Sequence, residues 1–184
     1  QILQAQLICM IVSLDIANLV SESIEIRNEF LRNDLTKKLA KILGQCQRDE
    51  EKVKTVTWLL SKLAHGKPFP PLDMVSTGIT SQEFSIAFVL VYGQSNPLGE
   101  LMLNTSNDKI IEDILWCFYY ISEGGETARI SAVCDLGVLP KTINLLSKTK
   151  NERIATLAFR LCGNIAMCDS YNTEVSCFSL YSYF

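Results

Sequence analysis

One histidine, two tryptophans and no excess of basic charge in 184 residues remove several kinds of chemistry at the outset. The single histidine, His65, leaves no His cluster for a metal. The seven cysteines (Cys9, Cys46, Cys117, Cys134, Cys162, Cys168 and Cys177) contain no CxxC pair, so neither a structural metal site nor a redox motif is expected. Most of these thiols sit inside apolar stretches, where a free thiol packs as a small hydrophobe, and this usage suits a reducing compartment. Lys and Arg number 17 against 20 Asp and Glu, a net charge of −3. That balance offers no basic footprint for nucleic acid and no polybasic patch for a membrane, although mild acidity suits a basic partner. The longest apolar run, residues 84–92, is far short of the ~20 residues of a membrane-spanning helix. No phosphate-cradling glycine loop is present either, since residues 122–126 (SEGGE) set their glycines between acids that repel phosphate. No cofactor is expected. The chain opens at Gln1 within a helical pattern, without a charged leader region or a small-residue cleavage site, and is read as a fragment rather than as a signal peptide.

What remains is 48% apolar and 20% charged, enough to bury a core. The apolar residues recur. Residues 8–20 (ICMIVSLDIANLV), 53–64 (VKTVTWLLSKLA), 110–121 (IIEDILWCFYYI) and 156–166 (TLAFRLCGNIA) each carry the i, i+3, i+4 spacing of an amphipathic helix. Aligned, they place Asn18, Lys62, Tyr120 and Asn164 at one position, with separations of 44, 58 and 44 residues. Steps of ~40–47 residues are those of armadillo and HEAT units, and the long middle step implies an insertion at 76–97. In the last unit a short helix over 128–136, Gly137 as its stop, a second helix over 138–147 with Pro140 in its first turn and a third over 151–167 give a three-helix plan. The expected architecture is an all-α armadillo-repeat solenoid, a right-handed superhelix truncated at both ends. About four units are expected: 1–46 (partial), 47–75, 98–124 after the insertion at 76–97, and 125–173, with 174–184 as a non-repeat tail. Stacking such units lines their third helices along one concave wall.

Three strings carry a resemblance to a known family. Residues 58–71 (WLLSKLAHGKPFPP) resemble the importin α string W-x-L-S-N-L-x-R-G-K-P-x-P-P, departing at Lys62 and His65. Residues 113–124 (DILWCFYYISEG) are similar to D-x-x-W-A-L-S-Y-L-S-D-G. Residues 157–165 (LAFRLCGNI) resemble A-L-R-x-x-G-N-I, preceded by residues 137–140 (GVLP) for the family's G-V-V-P. The strings fall in the family's order across roughly residues 18–173 and correspond to about the third through sixth of its ten repeats.

The resemblance implies an adapter that binds basic nuclear-localisation peptides in the concave groove, serves import into the nucleus, works in cytoplasm and nucleus, and is not an enzyme. It also implies importin β as a partner for a full-length form only. Trp and Asn four residues apart share a helical face, so stacked third helices would offer indole slots for Lys or Arg stems and amides for a peptide backbone. Carried over, the peptide-binding residues are Asn18, Glu22, Trp58, Asp113, Trp116, Tyr120, Arg160 and Asn164. Glu22 stands where the family has an Asp that neutralises the key lysine, and Arg160 takes a Trp position as in the family. Leu14, Lys62 and Ser170 depart from the pattern, with Lys62 placing a cation where a cationic peptide should lie.

Each residue also has a plainer reading. Trp58, Trp116 and Tyr120 suit core packing, and Asn18, Asn164, Glu22 and Asp113 suit a solvated helix face. Arg160 suits a structural ion pair. Two other functions follow from these: a degenerate armadillo scaffold that keeps only protein-protein interaction, and a cysteine hydrolase pairing His65 with a thiol, for which no local signature exists.

Overall fold

The computed structural model describes residues 2–33, 35–46, 48–67, 97–124 and 127–167. Among these residues the chain forms nine α-helices and no strand: α1 (Ile2–Glu22), α2 (Ile24–Arg32), α3 (Leu35–Gln45), α4 (Glu50–Ala64), α5 (Pro97–Asn104), α6 (Asp108–Ser122), α7 (Thr127–Cys134), α8 (Leu139–Lys148) and α9 (Glu152–Ala166). Most of the expected insertion lies outside the described residues. Its last residue, Pro97, opens α5 instead of preceding a unit, which fits a ring that tolerates only the first helical turn.

Side chains that accept backbone N–H groups fix where the helices start. Ser23 Oγ accepts from Ile26 N at 3.2 Å and starts α2. Asp49 Oδ1 accepts from Lys52 N at 3.2 Å and starts α4. Asn107 Oδ1 takes Lys109 N and Ile110 N at 3.0 and 3.3 Å, and Asn151 Oδ1 takes Arg153 N and Ile154 N at 3.1 and 3.4 Å. Each satisfies N–H groups that a helix start leaves orphaned. Gly66 (φ +105°), Gly124 (φ +97°) and Gly137 (φ +66°) then turn the chain where L side chains are strained. The turn at Gly137 begins earlier than the sequence suggests: α7 ends at Cys134, and the N–H groups of Leu136 and Gly137 bond to the carbonyls of Val133 and Cys134.

The long helices stack in series, α1 on α4, α4 on α6 and α6 on α9, while α3 packs on α5 and α8 on α9. The buried seam runs through Leu60 and Leu63 of α4, Ile114, Leu115 and Phe118 of α6, and Ile154, Ala158 and Leu161 of α9. A polar ladder runs beside it. The N-cap amide of α6, Asn107 Nδ2, donates to Glu50 Oε1 at the start of α4 (3.0 Å), and Asn151 Nδ2 donates to Asp108 Oδ2 at the start of α6 (3.0 Å). One side chain thus caps its own helix and ties it to the preceding one. The far end of α4 is closed by Arg27 of α2. This buried guanidinium donates to the His65 carbonyl at 2.7 Å and to Asn28 Oδ1, and burial lowers its pKa. The result, among the described residues, is an all-α array whose long helices pack one on the next.

Candidate groove on the long helices

Residues four apart on α1, α4, α6 and α9 present one face per helix. On α1, Asn18 and Glu22 are exposed and Leu14 is 43% exposed, so this end of the wall is open and carries no ring. On α4, Trp58 is half-buried against the core, and the Lys62 ammonium lies 5.9 Å from the centre of its ring. On α6, Trp116 stacks on Tyr120 with ring centres 5.1 Å apart and planes inclined by 20°. Tyr119 meets the edge of Trp116 at 5.8 Å, and His65 from the end of α4 meets Tyr120 edge-on at 4.7 Å. On α9, Arg160 is exposed with its guanidinium 5.9 Å over the Tyr119 ring.

Asn164 is committed to the fold through its donors. Its Nδ2 gives hydrogen bonds to Ser122 Oγ (2.9 Å) and to the Tyr119 carbonyl (3.3 Å), which leaves its carbonyl oxygen as an acceptor. Asp113 is not a surface carboxylate. It is 2% exposed, its Oδ1 accepts from Lys109 Nζ at 2.9 Å, and its Oδ2 has no hydrogen-bond partner among the described residues. Burial raises the pKa of this carboxyl; the bond from Lys109 and the charge of Lys62 oppose that rise. Lys62 therefore acts across the α4–α6 seam on a residue one turn before Trp116.

Sequence spacing chose Asp113, three residues before Trp116, as the acid of this wall; Glu112, four residues before it, lines the open space. A cavity of about 420 Å³ between α6 and α9 is bounded by Trp116, Thr156 and Leu157, by two carboxylates, Glu112 and Glu152, and by two guanidinium groups, Arg153 and Arg160. The Glu112 side chain is 16% exposed, and its ion pair to the exposed Arg153 is long, at 4.0 Å. The i, i+4 relation to Trp116 was the available signal for Glu112. His65, Tyr119 and Ser122 were also absent from the sequence-derived set. Their roles depend on contacts between helices, which a single-helix pattern does not carry.

The buried thiols of Cys117 and Cys162 suit packing. Cys117 is fully buried and its pKa is raised well above the ordinary value by that burial and by Asp113; Cys162 is pushed up to about 11 by burial. Among the described residues no group of His, Cys, Asp or Glu is arranged to hold a metal ion, and no single helix is long and apolar enough to cross a membrane.

No protein-family model matches the chain. Importin subunit alpha-B of Dictyostelium discoideum is 29% identical over 117 residues, covering 64% of this chain and 19% of that protein. Importin subunit alpha-2 of Arabidopsis thaliana is 27% identical over 94 residues, 51% of this chain and 14% of that protein. The probable importin subunit alpha-A of Dictyostelium discoideum is 24% identical over 163 residues, 82% of this chain and 26% of that protein. The chain spans about a quarter or less of the length of these relatives. Among solved structures, a designed armadillo repeat protein in complex with the peptide (KR)4 superposes with a TM-score of 0.67 at 18% identity, covering 92% of this chain and 61% of that one. Fold and sequence similarity agree: the chain folds as an armadillo array and is similar in sequence to part of importin α subunits.

Proposed function

We propose that the chain is a peptide-binding armadillo module whose long-helix wall receives an extended basic peptide of the nuclear-localisation type. The observation that carries this reading is the space between α6 and α9. The Trp116 indole, fixed by its stack on Tyr120, forms one side of a 420 Å³ cavity, and Glu112 and Glu152 supply carboxylates beside it. An aliphatic stem laid on the indole, with its cationic head turned to a carboxylate, combines apolar burial, cation–π attraction and an ion pair. Asn18 and Glu22 on α1, Trp58 on α4, and Tyr120, Arg160 and Asn164 extend the proposed contact set along the wall, with Asn164 acting as a backbone acceptor; Asp113, buried and bonded to Lys109, stands behind it. The importin α relatives and the (KR)4 complex of the designed armadillo protein support this reading. In this proposal the units keep the bounds 1–46, 47–75, 98–124 and 125–173, the last of them holding α7, α8 and α9, the partner is the basic segment of a cargo protein, and importin β engages a longer form only. The working compartments are cytoplasm and nucleus.

Trp58 and Trp116 are the chain's two tryptophans, so binding reports on itself. Titrating a lysine-rich nuclear-localisation peptide should shift indole fluorescence, and affinity should fall as added salt screens the ion pairs. An armadillo scaffold without peptide recognition is the second reading, favoured by the committed donors of Asn164 and the burial of Asp113. Unchanged fluorescence together with no calorimetric heat would select it.

A further inference from the structure

The slot on Trp58 already holds a cation, and the cation is the chain's own. Lys62 is half-buried one turn beyond Trp58, with its Nζ 5.9 Å from the ring centre. No salt bridge among the described residues includes it. The acid across the seam, Asp113, is 2% exposed and gives its Oδ1 to Lys109 at 2.9 Å. Lys62, Lys109 and Asp113 together therefore carry two positive charges against one negative. A peptide lysine arriving at Trp58 meets an ammonium already over the ring and adds a third cation. A peptide carboxylate finds an ammonium with no salt bridge among the described residues and forms a charge-assisted hydrogen bond to it.

We propose that Lys62 is a specificity-determining residue that converts the Trp58 site of the wall into a receptor for an Asp or Glu side chain of the bound peptide. The inference rests on the peptide-binding reading above and deepens it. The preferred ligand is an extended peptide of mixed charge, its basic residues over the cavity between α6 and α9 and an acidic residue against Lys62.

The test is a Glu scan of one lysine-rich peptide, each position replaced in turn, titrated into the full chain by calorimetry. The same peptides are run against Lys62→Asn and Lys62→Glu, with circular dichroism to confirm helix content and Lys62→Gln as a further neutral variant. One Glu-bearing register should bind the parent about five- to tenfold more tightly than the all-lysine peptide. Lys62→Asn should abolish that preference and tighten the all-lysine peptide, and Lys62→Glu should reverse the preference. If every Glu replacement weakens binding and Lys62→Asn or Lys62→Gln leaves the ranking unchanged, the inference is overturned and the peptide-binding reading stands. If neither the parent nor Lys62→Asn binds any peptide, both are overturned.

Discussion

Asp113 shows how far a single residue can depart from what its spacing promises. Its place three residues before Trp116 was legible, but its burial was not, because burial is set by α4, a helix 58 residues upstream by the repeat alignment, and by the neighbouring Lys109. The buried carboxyl has a raised pKa, so the folded state holds its proton more tightly than the unfolded chain does. Its stabilising contribution is complete below the ordinary value near 3.8 and is lost as pH rises through the higher folded value. Asp113→Asn stays neutral throughout. The melting temperature of this variant, relative to the parent, should rise between pH 3.5 and pH 7; a relative fall would mean that the bond to Lys109 outweighs the cost of burial. At Lys62 the lesson differs, since both its departure from the family string and its place one turn beyond Trp58 were visible in sequence, while the absence of a salt bridge to it among the described residues depends on how the helices pack.

Helices were the most legible level. All four stretches with regular apolar spacing lie within long helices of the structure, and Asn151 caps α9 at the position where the sequence reading began that helix. Ends were read less well: α7 stops at Cys134, where the sequence reading carried its helix to Leu136. The link from N-cap to preceding helix, Asn107 to Glu50 and Asn151 to Asp108, was invisible, as it joins residues 57 and 43 apart. Asn151→Ala removes both the cap and the tie. It should lower stability by about 1–2 kcal/mol, or roughly 2–4 °C per kcal/mol in melting temperature. A double-mutant cycle with Asp108→Ala should show coupling between the two residues; strict additivity would assign the whole loss to the cap.

At the scale of the molecule the repeat period pointed to a solenoid, because stacked units bury their stripes only against one another, and the three-helix plan of the last unit favoured the armadillo kind. The wall's contents were legible in part. Trp58, Trp116 and Arg160 were chosen by alignment, whereas the cavity beside Glu112 arises only when α9 meets α6. Phe118 lies wholly buried in the seam between them. Phe118→Ala should cost about 3–5 kcal/mol, seen as a lower denaturant midpoint, and hydrogen exchange should quicken first in α6 and its stacking neighbours α4 and α9. Exchange that quickened equally in every helix would mean that the array opens as one cooperative body. The rings near that residue have one more property. Trp116, Tyr119 and Tyr120 are chromophores locked at mutual angles of 20°, 74° and 55° in an asymmetric setting. They give the protein an intrinsic near-ultraviolet dichroic signature, one that fades when side-chain order dissolves even while the backbone stays coiled.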